Sequence, residues 1–464
     1  MESSTPPPPR GRFRVTRPLP CTCAVSYRAP FSGGHQVTLP PGTLLSLDRD
    51  PAPGSSASHA LPEPVAAWEP WLVGQAQAAA RDYAGYDLVI EHAALAAAAV
   101  PDAGSEVAPD PARLLHADAY TGCLLGSAVG DALALPLEGL SPQRIARLTG
   151  GTVRHRLLPG TGMLSDDTEH AACVAQALVE AGRDPERFAR GLARRLRWWL
   201  LGLPAGIGLA TLRALVKSWL GFPPGRSGVH SAGNGPAMRS ALLGVHARDD
   251  VELRHALVRA CTRLTHTDPR AEAGARLVAD LAAANTEAGD PAPALAALLD
   301  AAAAGDDDFA AACRSALASQ RAGQSAAEHC AAHGMGRGVS GFVNQTVPVA
   351  ALIVLRHPRD FAAALHEVLD CGGDTDTVGA IVGGIVGAGC GPDGIPREWL
   401  DGVRDWPRST RWLRDLALTL AAVDGLGVAR RPPGLNPLAV LLRNLLFILI
   451  VLAHGFRRLL PPYG

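Results

Sequence analysis

Two short acidic segments, far apart in the chain, carry the residue types best suited to chemistry. Leu164–Thr168 reads Leu-Ser-Asp-Asp-Thr, and Cys371–Thr377 reads Cys-Gly-Gly-Asp-Thr-Asp-Thr. Asp166, Asp167, Asp374 and Asp376, together with the hydroxyls of Ser165 and Thr377, offer hard oxygen ligands for two divalent cations such as Mg²⁺ or Mn²⁺. A plainer reading exists for the first segment. Serine followed by acids begins many helices, where Ser165 would cap free N–H groups and the acids would face the helix dipole, for about 1 kcal/mol in all.

The second segment resists that reading. Gly372-Gly373 permits a tight turn before a helix containing Gly379, Gly383, Gly384 and Gly387. Each interior glycine costs roughly 1 kcal/mol relative to alanine. Such a helix is tolerable where neighbouring helices pack directly against its backbone, deep in a domain. Carboxylates buried at its start then need partners, because an unpaired buried charge is strongly unfavourable. Metal ions would serve.

Two further segments join these. Gly130–Glu138 closes a helix in which Gly122, Gly126 and Gly130 recur every four residues, again allowing close helix contact. Asp131 and Glu138 are candidates for supporting the site, contacting substrate or moving protons, although isolated helix-end acids are usually only solvated. Ser231-Ala232-Gly233-Asn234-Gly235 is a glycine-rich loop leading toward a helix, and its N–H groups suit phosphate oxygens. An ordinary turn would read the same way. His266, in Leu-Thr-His-Thr-Asp-Pro, could hydrogen-bond a phosphate or ribose, but a lone loop histidine is commonplace.

The elements that must position these residues are almost all helical. Of 464 residues, 47% are hydrophobic but only 5% aromatic, so alanine and glycine do much of the filling, which favours closely packed helices. From Pro111 onward, 3.6-residue periodicity predicts successive helices, among them Ala112–Ala134, Thr168–Ala181, Ala237–Val245 and Thr375–Ala388. We divide the chain into a disordered Pro-rich tail (1–12), a small α+β module (13–110), an all-α catalytic domain (111–430) and an apolar C-terminal helix with its tail (431–464). Within the module, short alternating runs such as Phe13–Thr16 and Leu44–Leu47 predict strands, and the Ala-rich segment Trp68–Ala98 predicts helix.

Several function classes lose weight on these grounds. A formal net charge of -1 gives no basic field for nucleic acid. The nine cysteines include no C-x-x-C pair, which points to reduced, buried thiols in a cytoplasmic protein. The proline-rich N-terminus lacks the apolar core of a secretory signal. Residues 437–453 are the most apolar stretch, interrupted by Arg443 and Asn444 and followed by Arg457-Arg458. That pattern leaves open a buried or oligomer-forming helix, in-plane membrane contact, or a span.

Taken in series, these motifs resemble the ADP-ribosylglycohydrolase family, which includes dinitrogenase reductase-activating glycohydrolase. The resemblance covers roughly residues 115 to 425: Gly122–Ala132 with Glu138, Ser165–Thr168, Gly233–Gly235 with Met238-Arg239, Thr265-His266, Gly341–Val343 with Thr346–Pro348, and Gly372–Gly379. It implies an orthogonal all-α bundle around a dinuclear Mg²⁺ or Mn²⁺ centre. Matching positions would make Ser165, Asp166, Asp167, Asp374, Asp376 and Thr377 the metal ligands, with Ser165 standing where threonine is usual. Glu138, and with it Asp374, would be catalytic. Ser231–Gly235 would hold a diphosphate, and Phe342 could stack where Ala232 replaces an aromatic residue of some relatives.

The expected activity is metal-dependent cleavage of the glycosidic bond of ADP-ribose attached to a protein side chain or a small molecule. The alternatives are an ADP-ribose-binding module without hydrolysis, a membrane-associated scaffold, and a different metal hydrolase such as a phosphoesterase. The last would more naturally bring histidine ligands beside the acids.

Overall fold

The computed structural model describes residues 116–458 and, as backbone alone, seven strand segments upstream. The chain divides into two units, Met1–Asp110 and Pro111–Gly464. In the first unit the segments are β1 (Arg12–Val15), β2 (Leu19–Ala24), β3 (His35–Leu39), β4 (Leu44–Arg49), β5 (Trp71–Gln77), β6 (Asp87–Glu91) and β7 (Ala99–Pro101). They hydrogen-bond in the order β3-β2-β6-β5-β4-β1-β7. Two of them, β5 and β6, fall where the alanine content predicts helix. Their own residues, Trp-Leu-Val and Leu-Val-Ile, are β-formers, and the alanines that suggested helix lie mostly between and after them. The Pro-rich tail and the remainder of the expected module lie outside the described residues.

The second unit is helical. Its helices, in chain order, are α1 (Ala117–Ala134), α2 (Pro142–Thr149), α3 (Asp166–Ala181), α4 (Pro185–Leu201), α5 (Leu209–Trp219), α6 (Ala241–His246), α7 (Val251–Arg263), α8 (Pro269–Asn285) and α9 (Ala292–Ala303). They continue as α10 (Asp308–Arg321), α11 (Ala326–Ala332), α12 (Val343–Arg356), α13 (Phe361–Cys371), α14 (Thr375–Cys390), α15 (Arg397–Gly402), α16 (Thr410–Leu426) and α17 (Pro437–Arg457).

At the centre lie α1 and α14, both buried along almost their whole lengths. Their glycines face one another in pairs: Gly122 with Gly387, Gly126 with Gly383, Gly130 with Gly379. A methyl group on Gly122, Gly126 or Gly130 would come within 2.0–2.2 Å of the partner glycine's carbonyl oxygen. The backbones therefore touch directly, which is the physical return for the glycine content. Leucine, valine and isoleucine from the surrounding helices complete one continuous core.

The apolar stretch at residues 437–453 forms the start of α17. Pro437 occupies its first turn, and the Asn436 side chain accepts the N–H groups of Leu438 and Ala439. By length and composition both α1 and α17 could cross a membrane; α1 is buried in the domain, whereas only 17% of the most apolar window of α17 is buried. One face of α17 docks on its own domain through Arg443, Asn444 and Phe447, while Leu438, Leu442, Leu446, Leu449 and Phe456 stand exposed.

Candidate active site

The two acidic segments meet because each begins a helix that packs on α1. Ser165 is the N-cap of α3, its Oγ accepting the Asp167 N–H at 3.2 Å. The capping role expected of it is therefore real, and it coexists with a second one. Ser165 Oγ also donates to Asp167 Oδ2 at 3.0 Å, and Thr377 Oγ1, from the first turn of α14, donates to the same oxygen at 3.3 Å. A hydroxyl 210 positions away in the chain thus reaches the Asp167 carboxylate.

The α14 start is different. Asp374 is its N-cap, yet its side chain makes no capping bond, so neither it nor Asp376 is spent on the helix end. Asn234 Nδ2 donates to Asp374 Oδ2 at 2.6 Å and to Thr346 Oγ1 at 3.0 Å, fixing that carboxylate's orientation. Gly372 and Gly373 have φ of 64° and 83°, the left-handed region, and a side chain on either would strike backbone of the 338–339 or 140–142 segments. Oxygens of Glu138, Asp374 and Asp376 lie within 4.8 Å of one another. That spacing lets a single cation reach all three.

The acids of this cluster crowd one another, and the Arg458 guanidinium favours the charged form of Glu138. Burial first, and the neighbouring acids second, push the carboxyls of Asp166, Asp167 and Asp376 well above the ordinary carboxylate range. Asp374 is raised as well, mainly by burial, against the opposing pull of Asn234. Asp167 Oδ1 and Asp376 Oδ1 are buried without a hydrogen-bond partner. Acceptor-only oxygens, buried, partnerless and crowded by like charge, fit a pair of hard dications. Among the described residues, no histidine joins this group of acids.

Asp131 is placed differently from the expectation of substrate contact. It is fully buried in α1, and its Oδ2 accepts the Ser165 N–H at 2.9 Å, the Thr168 N–H at 3.3 Å and the Thr168 hydroxyl. Burial raises its carboxyl to about 6, with these donors pulling the other way. Asp131 holds the start of α3 in place and does not line the cleft.

The cleft itself is a cavity of about 630 Å³. Glu138, Ser165, Asp166, Asp167, Asp374, Asp376 and Thr377 line its middle. Ser231, Gly233, Asn234, Gly235 and His266 line one end. The loop does not run into a long helix as the sequence predicts over Ala237–Val245. It enters a 3₁₀ turn, Ala237–Arg239, and then the six-residue α6. The loop is pinned instead to the opposite segment, with Asn234 N–H donating to Gly341 O at 3.0 Å and Val343 N–H to Ala232 O at 2.9 Å.

Glycine at 233 and 235 lets the His266 ring lie against this loop, since a methyl at either would sit 3.1–3.2 Å from the imidazole. Arg239, almost wholly buried, donates to Thr265 Oγ1 at 2.7 Å, and that hydroxyl is 2.9 Å from His266 Nδ1. Burial and Arg239 lower the His266 pKa to about 3, so the ring that lies beside the loop is neutral. Phe342 does not line the cleft. It is 38% exposed and pairs through its backbone with Gly233 of the loop, with the Arg270 guanidinium 5.5 Å from its ring centre.

The cleft includes residues without a motif signal: Ala205, Gly206 and Leu209 before and within α5, Ser340, and, from α17, Phe447 and Val451. The small-residue run around Gly206 is the hint that the sequence holds for the first of these.

Comparison with known proteins places this arrangement. The profile of the ADP-ribosylglycohydrolase family matches residues 110–428, and the chain belongs to that family. It is 33% identical over 308 residues to an Archaeoglobus fulgidus protein described as uncharacterized, covering 65% of this chain and 95% of the relative. It is 27% identical over 327 residues to the ADP-ribosyl-[dinitrogen reductase] glycohydrolase of Rhodospirillum rubrum, covering 66% of this chain and 98% of that protein. It is 26% identical to the ADP-ribosylarginine hydrolase Tri1 of Serratia proteamaculans, over 61% of this chain and 75% of that one. Among solved structures, an ADP-ribosylglycohydrolase-related protein complex superposes with a TM-score of 0.50 at 29% identity, covering 66% of this chain and 98% of the other.

Proposed function

We propose that this chain hydrolyses the glycosidic bond joining ADP-ribose to a protein side chain or a small molecule, using two Mg²⁺ or Mn²⁺ ions. The observation that carries the reading is the convergence of two helix starts on acidic oxygens that the protein leaves unpaired, notably Asp167 Oδ1 and Asp376 Oδ1. Ser165, Asp166, Asp167, Asp374, Asp376 and Thr377 would hold the metals. Bound there, the ions would polarise the ribose hydroxyls and a water and stabilise charge near the anomeric carbon.

The chain's own residues supply the rest. The Ser231–Gly235 loop and the His266 ring hold the diphosphate, binding energy remote from the reacting bond. Asn234 keeps Asp374 aimed through its 2.6 Å bond. Glu138, exposed at the cleft and within 4.8 Å of the Asp374 and Asp376 oxygens, is placed to give a proton to the leaving group or take one from water. Asp374 is the other candidate for that transfer.

The described cysteines are free thiols, all but Cys390 buried, which supports the cytoplasmic location we propose. We treat residues 13–110 as a separate β-containing module.

The deciding experiment is Asp376→Ala. It should abolish metal-dependent release of ADP-ribose from ADP-ribosylated substrate while circular dichroism still reports a folded helical protein. Undiminished turnover in that variant would refute the assignment.

A further inference from the structure

The family match ends at residue 428, whereas the cleft does not. Its far end is closed by α17, which begins at Pro437. Phe447 and Val451 line the cavity beside Leu135 and Ala205. Position along the cleft follows from printed neighbours. The diphosphate loop touches Asp374 through Asn234. A methyl on Gly206 would lie 3.2 Å from Asp166 Oδ1, Leu135 sits one 3₁₀ turn before Glu138, and both Leu135 and Ala205 pack with Phe447. The apolar wall thus adjoins Asp166 and Glu138, whereas the loop adjoins Asp374.

The wall is fastened to the catalytic segments themselves. Arg443 donates to Leu164 O, immediately before Ser165, and pairs with Asp405 and with Glu169 of α3 (3.3 Å), all of them buried. Asn444 donates to Gly202 O at 2.8 Å, and the Arg443 guanidinium lies 4.2 Å from the Phe447 ring centre. At the other end, Arg458 donates to the backbone carbonyls of Glu138 (2.7 Å) and Pro136 (2.6 Å). Phe447 is only 2% exposed, packed among Leu157 and Met163. A loosely attached tail would not be bound at both ends to residues flanking the acids.

We propose that α17 is the leaving-group wall of this enzyme and that Phe447 and Val451 select an uncharged leaving group with an aromatic or aliphatic body. The inference rests on the ADP-ribose reading above. An apolar group against Val451, Leu135, Ala205 and the small part of Phe447 that reaches the cleft loses water on both surfaces. A guanidinium in the same place would give up hydration against side chains that cannot replace it, its charge met by Glu138 and by Asp166, which the reading above spends on the metals.

Binding tests the wall separately from turnover. Affinities for ADP-ribose and for a non-hydrolysable C-linked aryl ADP-riboside are measured by calorimetry with Mg²⁺ on the full chain. The aryl conjugate should bind about tenfold more tightly than ADP-ribose. Phe447→Ala should erase that difference while ADP-ribose affinity stays within twofold. Because Phe447 is buried and its loss could unfold the chain, Val451→Asp serves beside it, the residue being 37% exposed. It too should erase the preference, and it should raise kcat/KM on an ADP-ribosylated arginine peptide relative to an aryl ADP-riboside. Equal affinity of the unaltered chain for the two ligands, or a parallel loss of both affinities in Val451→Asp, would overturn the wall. Preserved affinity differences with no turnover of any conjugate would instead overturn hydrolysis and leave the wall standing.

Discussion

Replacing Gly126 with alanine is a severe test of how the site is held. An added methyl would lie 2.2 Å from Gly383 O, 3.0 Å from Gly383 C and 3.1 Å from Phe361 Cε2. The first two are backbone atoms of α14 and cannot swing aside. Restoring van der Waals contact requires α1 and α14 to part by about 1 Å, because interiors are packed at crystal-like density. Such overpacking costs about 1–3 kcal/mol, and more where backbone must move. The alanine returns about 1 kcal/mol of helix propensity. The net loss should be about 1–2 kcal/mol, or a fall of about 1–3 °C in Tm for a domain of this size. Because Asp131 on α1 anchors Ser165 while α14 begins with Asp374 and Asp376, metal affinity measured by calorimetry should fall as well. Gly455→Ala is the internal control. It adds the same methyl to a helix where nothing lies within 4 Å, and Tm should stay or rise. An unchanged or higher Tm for Gly126→Ala would refute the claim that backbone contact sets the geometry.

Other outcomes follow from single residues. Asp131→Ala removes the acceptor of the Ser165 and Thr168 N–H groups and should cost about 2–4 kcal/mol in denaturant unfolding. Its metal affinity should drop roughly 10–100-fold although no cleft-lining atom is removed; unaltered metal binding would show that Asp131 does not position the ligands. The lowered pKa of His266 makes stability depend on acid. The group contributes fully above its unfolded pKa near 6.5, and that contribution is lost as pH falls, since only the unfolded chain takes up the proton until about pH 3. At pH 5 the loss is about 2 kcal/mol, and His266→Gln should flatten that part of the pH–stability curve; an identical slope in the variant would contradict a buried neutral imidazole.

The helical domain was readable where pattern and packing agree. Gly122, Gly126 and Gly130 opposite Gly379, Gly383 and Gly387 announced backbone contact, and the acids at 166–167 and 374–376 announced two helix starts needing a shared partner. Helices α2 and α11 are short but carry end signals that a sequence can show: Ser141, Pro142 and Gly150 bound α2, and Ser325 with Glu328 forms a capping box on α11. The role of Asp131 was not legible, since whether an acid faces a cleft or a neighbouring helix start depends on a contact 34 residues away. The same holds for Phe447, whose apolar neighbours hide that one face of α17 reaches the cleft.

The direct contact of α1 with α14 also partitions what can drift over evolutionary time. No methyl group fits between those backbones, so the gap between the two sets of carboxylates is insulated from ordinary side-chain turnover. Novelty in what the cleft accepts is left to exposed side chains at its borders, such as Leu209 and Val451.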